Sequence, residues 1–220
     1  MARLDRVGEI EMGNYYSETR FNNWITRIKE TELVPEDPES LSVLDQMLED
    51  FVVACVNIIR AVKEREITKS DAAKELQEME GIISSRIDLG DEFKNDVFEY
   101  LREAMRVIAR SAVLALEGRI SKKSFEALLK EAVQKETNGD VEGAFDAIAR
   151  MGAKIFRGEK LPEDIEIPDE DLMIINWIDG VDAINTTMIL SEIDAMDSTD
   201  STESADSEGS EGGEGGSQEE

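Results

Sequence analysis

The stretch Leu41-Ser-Val-Leu-Asp-Gln-Met-Leu-Glu-Asp-Phe-Val-Val-Ala-Cys-Val-Asn-Ile-Ile-Arg-Ala-Val62 decides the fold class. Leu41, Leu44, Leu48, Phe51, Cys55, Ile58 and Val62 recur at alternating steps of three and four, which places them on one face of a helix. Val52 and Ile59 widen that seam, so packing in a globular bundle is expected rather than a lone two-stranded coil. Asp37 followed by Pro38 marks its start, as an N-cap with proline in the first turn.

Outward from this helix the same period repeats. Asn14 is read as the cap of a first helix reaching Glu30, with Phe21, Trp24, Ile25 and Ile28 on its apolar stripe. Thr68 and Ser70 offer caps for a third helix, with Ala72, Leu76, Met79 and Ile83 on one face. A long fourth helix is predicted from Asp91 to Glu117, burying Val97, Leu101, Ala104, Ile108, Ala112 and Ala115 and ending at Gly118. Ser121 is read as the cap of a fifth helix and Asp140 of a sixth, whose many small residues invite a close neighbour. Residues 169–190 read as one broken helix or two short ones, with Asp179-Gly180 as the break. No segment alternates with period two, so the expectation is an all-α, compact helical bundle of six to eight helices. The second and fourth helices should be its centre, with Leu48, Cys55, Ile59, Leu101, Ile108 and Ala112 almost wholly buried. The organisation expected is a flexible arm over residues 1–13, a single helical domain over 14–190 and a disordered acidic tail over 191–220.

Charge and missing residues exclude much chemistry. The 220 residues hold 51 acids, 24 bases, no histidine and one cysteine, for a net charge of −27. Residues 191–220 carry 11 acids and no base, which leaves 40 acids and 24 bases for residues 1–190, a net of −16. Such a body repels phosphate backbones, which argues against direct nucleic-acid binding. Cys55 lies in an apolar run with no histidine to activate it, and reads as a small buried hydrophobe in a reducing cytosol. Neither a signal peptide nor a membrane span is expected, and the location expected is cytoplasmic. There is no phosphate-binding glycine loop, no nucleophile elbow and no cysteine pair for zinc. The loop around Gly118 cannot be a calcium hand, because Val113, Ala115 and Ser124 stand where carboxylates are needed. The acidic run Glu159, Glu163, Asp164, Glu166, Asp169, Glu170 and Asp171 reads as a solvated connector. No catalytic residue, cofactor or metal site is therefore assigned.

An offset of 53 residues aligns Glu64, Ile67, Lys69, Leu76 and Glu78 with Glu117, Ile120, Lys122, Leu129 and Glu131, so the bundle could contain two pseudo-repeated helix-loop-helix units. Two groups of side chains stand out as candidates for partner binding. Arg102, Arg106 and Arg110 lie four apart on the fourth helix, opposite Leu101 and Ile108. They form either an anion or acidic-partner site, or a solvated face paired with Glu99 and Glu103. The first helix mixes Tyr15, Tyr16, Arg20, Trp24 and Arg27, which is an interface composition and also suits docking onto its own bundle.

Tyr16-Ser-Glu-Thr-Arg-Phe-Asn-Asn-Trp-Ile-Thr-Arg-Ile-Lys-Glu, then Pro35-Glu-Asp-Pro-Glu-Ser and Asp50-Phe-Val-Val-Ala-Cys, resemble an uncharacterised archaeal domain family found in methanogens and haloarchaea. The resemblance spans residues 14–190 and is sharpest over 15–60. It implies an archaeal cytoplasm and carries no activity or functional residues.

The function expected is a non-catalytic helical binding or adaptor protein acting through protein–protein contacts, with a partner the sequence does not identify and a homodimer left open. One alternative is a carboxylate-based enzyme dependent on magnesium or manganese, built inside the bundle. Another is a ribosome- or nucleoid-associated factor. The sequence argues against an enzyme without excluding one.

Overall fold

The computed structural model describes residues 15–35, 37–167 and 172–203, with side chains as far as Ser191. Asn14, the arm of residues 1–13, the acids 169–171 and tail residues 204–220 lie outside the described residues. Seven helices and no strand occur among them: α1 Glu18–Glu30, α2 Pro38–Lys63, α3 Lys69–Ile83, α4 Glu92–Glu117, α5 Phe125–Thr137, α6 Val141–Ile155 and α7 Ile174–Glu203.

Most helix boundaries follow from local capping. Asp37 caps α2 ahead of Pro38, Thr68 and Asp71 form a reciprocal capping box on α3, and Asp91 and Asp140 cap α4 and α6. The cap of α1 is Ser17 rather than the expected Asn14: the helix begins at Glu18, and the Ser17 hydroxyl accepts from the Arg20 N–H at 3.1 Å. Ser121 does not cap α5. The cap is Ser124, which accepts from the Ala127 N–H at 3.2 Å, while the Ser121 hydroxyl is turned to the Lys123 N–H. α7 receives its first turn from another helix: the Glu136 carboxylate of α5 accepts from the Met173 and Ile174 N–H groups at 2.7 and 3.1 Å.

α4 is the centre of the bundle and touches α2, α3, α6 and α7. α6 shares that position more fully than α2 does, packing against α4, α5 and α7. The reason is its small residues. A Cβ on Gly152 would fall 2.8 Å from the Ser111 Cβ of α4 and 2.9 Å from the Ile184 Cδ1 of α7, so a larger residue would push the three helices apart.

Gly180 corrects an expectation in the same way. It is not a break, because α7 runs unbroken through it to Glu203, past the boundary expected at residue 190. Asp-Gly reads locally as a turn, but here the glycine lets α7 lie against α4. An added Cβ would meet the Ala104 carbonyl oxygen and the Val107 Cγ1, each at 2.6 Å.

The burial of α2 is also rotated from the expected seam. Cys55, Leu101, Ile108 and Ala112 are buried as expected, whereas Leu48 and Ile59 are only half-buried. The inward row is Val43, Met47, Phe51, Ala54, Ile58 and Ala61. Leu44 and Leu48 stand beside it, on a flank that no described helix covers fully.

The pseudo-repeat holds at its turns and fails in its packing. Arg65 and Gly118, 53 residues apart, both take the left-handed conformation, at φ 64° and 74°. Each ends its helix with the same pair of backbone hydrogen bonds, Glu66 N–H to Ala61 C=O and Arg119 N–H to Leu114 C=O being the longer-range members. Yet α3 packs on α2 and α4, whereas α5 packs chiefly on α6. The two units are therefore not symmetric in the bundle.

Candidate protein-docking groove

The arginine face of α4 is neutralised within the chain. Arg102 pairs with Glu99 and Arg106 with Glu103, both at 2.7 Å, the i, i+3 pairing expected from the sequence. Arg110 reaches instead across to Asp146 of α6 at 3.4 Å, and Asp146 also holds Arg150. The guanidiniums of Arg102 and Arg106 lie 5.4 and 5.6 Å from the Phe98 and Phe145 ring centres. Glu103 has a second duty, accepting from the indole N–H of buried Trp177 at 2.9 Å. These charges hold α4, α6 and α7 together.

The aromatic and basic residues of the N-terminal segment are engaged in the same inward way. Tyr16 is buried and meets the Phe51 ring edge-on at 5.0 Å. The Arg20 guanidinium binds both oxygens of Asp50 on α2 and the Tyr15 carbonyl. The Trp24 indole N–H donates to Asp50 at 2.7 Å, and Arg27 stacks over the Trp24 ring while reaching Gln46. Asp50 is thus the anchor that docks α1 onto α2. Cys55 lies wholly inside this core, and burial pushes its thiol up from the ordinary range.

The open surface lies elsewhere. α2, α4 and α7 leave between them a groove of about 630 Å³. Leu44 and Leu48 from α2, Val97, Leu101 and Ala104 from α4, and Ala183 from α7 make its apolar floor. Tyr100 and Leu190 stand on its lips, 57 % and 49 % exposed. Four carboxylates rim it: Asp45 and Glu49 from α2, Asp179 and Asp182 from α7. All four are exposed, and none is paired with a base among the described residues. Partial burial in the groove wall raises the Asp179 carboxyl above the usual range, and repulsion from Asp182 and Asp45 adds to it. Water still reaches Asp179 from the groove side, so the energetic weight of that shift is small.

The sequence named Asp179 as part of an expected break and assigned none of these rim residues to binding, because Asp45 and Asp179 lie on helices far apart along the chain. The usable signal was a surplus of apolar positions on α2, where Val43 and Met47 form a second apolar row beside the Leu44 and Leu48 of the expected seam. Among the described residues, no three acids or other ligating side chains are placed to hold a metal ion. No described helix is long and apolar enough to cross a membrane.

No curated protein and no solved structure matches the chain. Residues 14–195 match the model of a family described as an uncharacterized protein conserved in archaea, DUF2150. That span covers all seven helices except the end of α7, and it agrees with the resemblance carried by residues 15–60. The chain thus belongs to this archaeal family, and its groove and its paired arginine face belong to the matched region.

Proposed function

We propose that this chain is a non-catalytic binding protein that holds another protein in the groove between α2, α4 and α7. One observation carries the reading. Leu44, Leu48 and Val97 have the spacing of core residues, yet they are only half-buried, because no described helix closes over them. Apolar surface of this kind is worth about 25 cal/mol for each Å² that a partner removes from water. The carboxylate enzyme gains no support here, since the groove acids sit at the rim rather than converging inward. Arg20 and Trp24 are held by Asp50, and Arg102 and Arg106 are paired with Glu99 and Glu103, while the phenol oxygen of Tyr16 and the Nε of Arg102 are buried out of reach of a partner, which leaves the groove as the better docking surface.

The test is a photo-crosslinking residue placed at Tyr100, on the groove lip, in the full chain expressed in archaeal cells. Lys74, exposed on α3 away from the groove, serves as the control position. A discrete protein adduct at residue 100 and not at 74 is expected. Identical adduct patterns at the two positions, or none at residue 100, would remove the docking role.

A further inference from the structure

We infer, granting the docking role above, that the occupant of the groove is a cationic amphipathic helix of about three turns, its apolar stripe on the leucine floor and its Lys or Arg side chains against the acid rim.

Shape sets the first half of this. On α7 the groove is lined by Asp179, Asp182, Ala183, Thr186, Thr187 and Leu190, spaced by three and four residues along one stripe. From Asp179 to Leu190 that stripe is about 16 Å long at 1.5 Å per residue, the length of three helical turns. α2 and α4 present their own stripes, Leu44 with Leu48 and Val97 with Leu101 and Ala104. A trough between helices with an apolar floor takes another helix on its apolar face.

Charge sets the second half. Each acid on the arginine face has a base within the chain, whereas the four rim acids have none among the described residues. They flank the floor on both sides, Asp45 and Glu49 on one wall, Asp179 and Asp182 on the other. Bases on both flanks of an apolar stripe would meet both walls and relieve the repulsion among Asp45, Asp179 and Asp182. A second copy of this chain fits poorly, because it would bring one acidic rim against another in a chain of net charge −27. The chain's own residues 1–13 fit poorly too: Arg3 and Arg6 are outnumbered by Asp5, Glu9 and Glu11. Acids from residue 191 onward, unmixed with bases, extend the same charge preference beyond the groove.

The experiment uses the full chain and three labelled synthetic peptides of about 14 residues. The first carries leucines at i, i+3, i+4 and i+7 with lysine flanks, the second has glutamine in place of lysine, and the third has the first's composition with its leucines scattered. Binding is followed by fluorescence anisotropy at two salt concentrations. The lysine amphipath should bind at least about tenfold more tightly than either other peptide, and should weaken with salt. The variant D45N/E49Q/D179N/D182N, checked for helix content by circular dichroism, should lose about tenfold for that peptide while keeping the acidic tail. Equal binding of the glutamine peptide would overturn the cationic assignment and leave the docking role standing. Equal binding of the scattered peptide, or an unaffected quadruple variant, would assign the attraction to general acidity and overturn it as well. Failure of all three peptides, with crosslinking at Tyr100 intact, would reject this helix and retain the groove. Displacement of the lysine peptide by a synthetic peptide of residues 1–13, or a dimer that the quadruple variant dissolves, would make the chain itself the occupant.

Discussion

The two charged regions that α4 borders teach by contrast. On one side Arg102, Arg106 and Arg110 meet Glu99, Glu103 and Asp146, and every charge has a partner inside the fold. On the other side Asp45, Glu49, Asp179 and Asp182 rim an apolar floor with no base among the described residues. Both regions carry charge along helix faces at similar spacing. The first is completed by the chain and the second is not, so the first holds the structure together and the second is left to meet something else. An arginine stripe draws the eye in an acidic sequence, but its charges are spent inside the fold, and it is the combination of an open apolar floor with a rim of unpaired acids that marks the surface left free.

The largest expected effect comes from breaking the scaffold that carries both regions. Gly180→Val places side-chain atoms where the Ala104 carbonyl oxygen already lies 2.6 Å from a bare Cβ. Displacing α7 from α4 should cost about 3 kcal/mol, read as a fall in Tm of roughly 6–12 °C. A shift within about 2 °C would show that α7 tolerates a wider separation than the glycine implies.

Next comes the keystone of the paired side. Glu103→Ala removes a carboxylate that serves both Arg106 and the buried Trp177 N–H, and should cost about 2 kcal/mol in urea unfolding. The triple change R102Q/R106Q/R110Q should cost less, about 1.5 kcal/mol in total, because Glu103 keeps the Trp177 donor and Asp146 keeps Arg150. Peptide binding in the groove should not change in the triple variant. A loss of binding there would move the docking surface to the arginine face and dissolve the contrast.

The unpaired side should respond with the opposite sign. Asp179 titrates above the usual carboxylate range, so the folded state holds its proton more tightly than the unfolded state does. The resulting penalty is present at neutral pH and fades as pH falls through that raised range, where protonation relieves it. Asp45→Asn, Asp179→Asn and Asp182→Asn together should therefore raise stability at pH 7 by about 1 kcal/mol, or 2–4 °C in Tm. The gain should shrink towards pH 4, about where ordinary carboxylates titrate. A variant less stable than the parent at pH 7 would mean that the rim acids have counter-charges after all. The smallest effect calibrates the set at a site outside both regions. Arg65, held at φ 64°, should accept glycine with a gain of about 0.5 kcal/mol, measured by chemical denaturation; a loss would show that its side chain matters more than its backbone.

Much of the architecture was legible because it is local. The caps Asp37, Thr68 and Asp140, the start of α4 at Asp91 and its end at Gly118 follow from short-range hydrogen bonding, and the three-and-four spacing marks the helices. What escaped is set by neighbours distant in sequence. Gly180 reads as a break until α4 is laid against it. Ser121 and Ser124 compete for one cap, and the chain's path from α4 decides between them. Leu48 reads as core because its partners in a closed seam can be imagined, and only the assembled bundle shows that seam open. The groove acids escaped for a further reason: in a chain with 51 acids they look no different in sequence from the many other exposed carboxylates.

The two tryptophans carry an optical consequence. Trp177 is 2 % exposed, between Glu103 and the Phe145 ring, on the helix that forms one groove wall. Trp24 is half-buried against Asp50 and Arg27, where α1 docks onto α2, the helix of the opposite groove wall. Their emission should therefore differ in colour, blue from the dry indole and redder from the wetter one. With either replaced by phenylalanine, the chain becomes its own single-channel fluorimeter: Trp177 reports events along the α7 wall, and Trp24 reports those at the contact of α1 with the α2 wall.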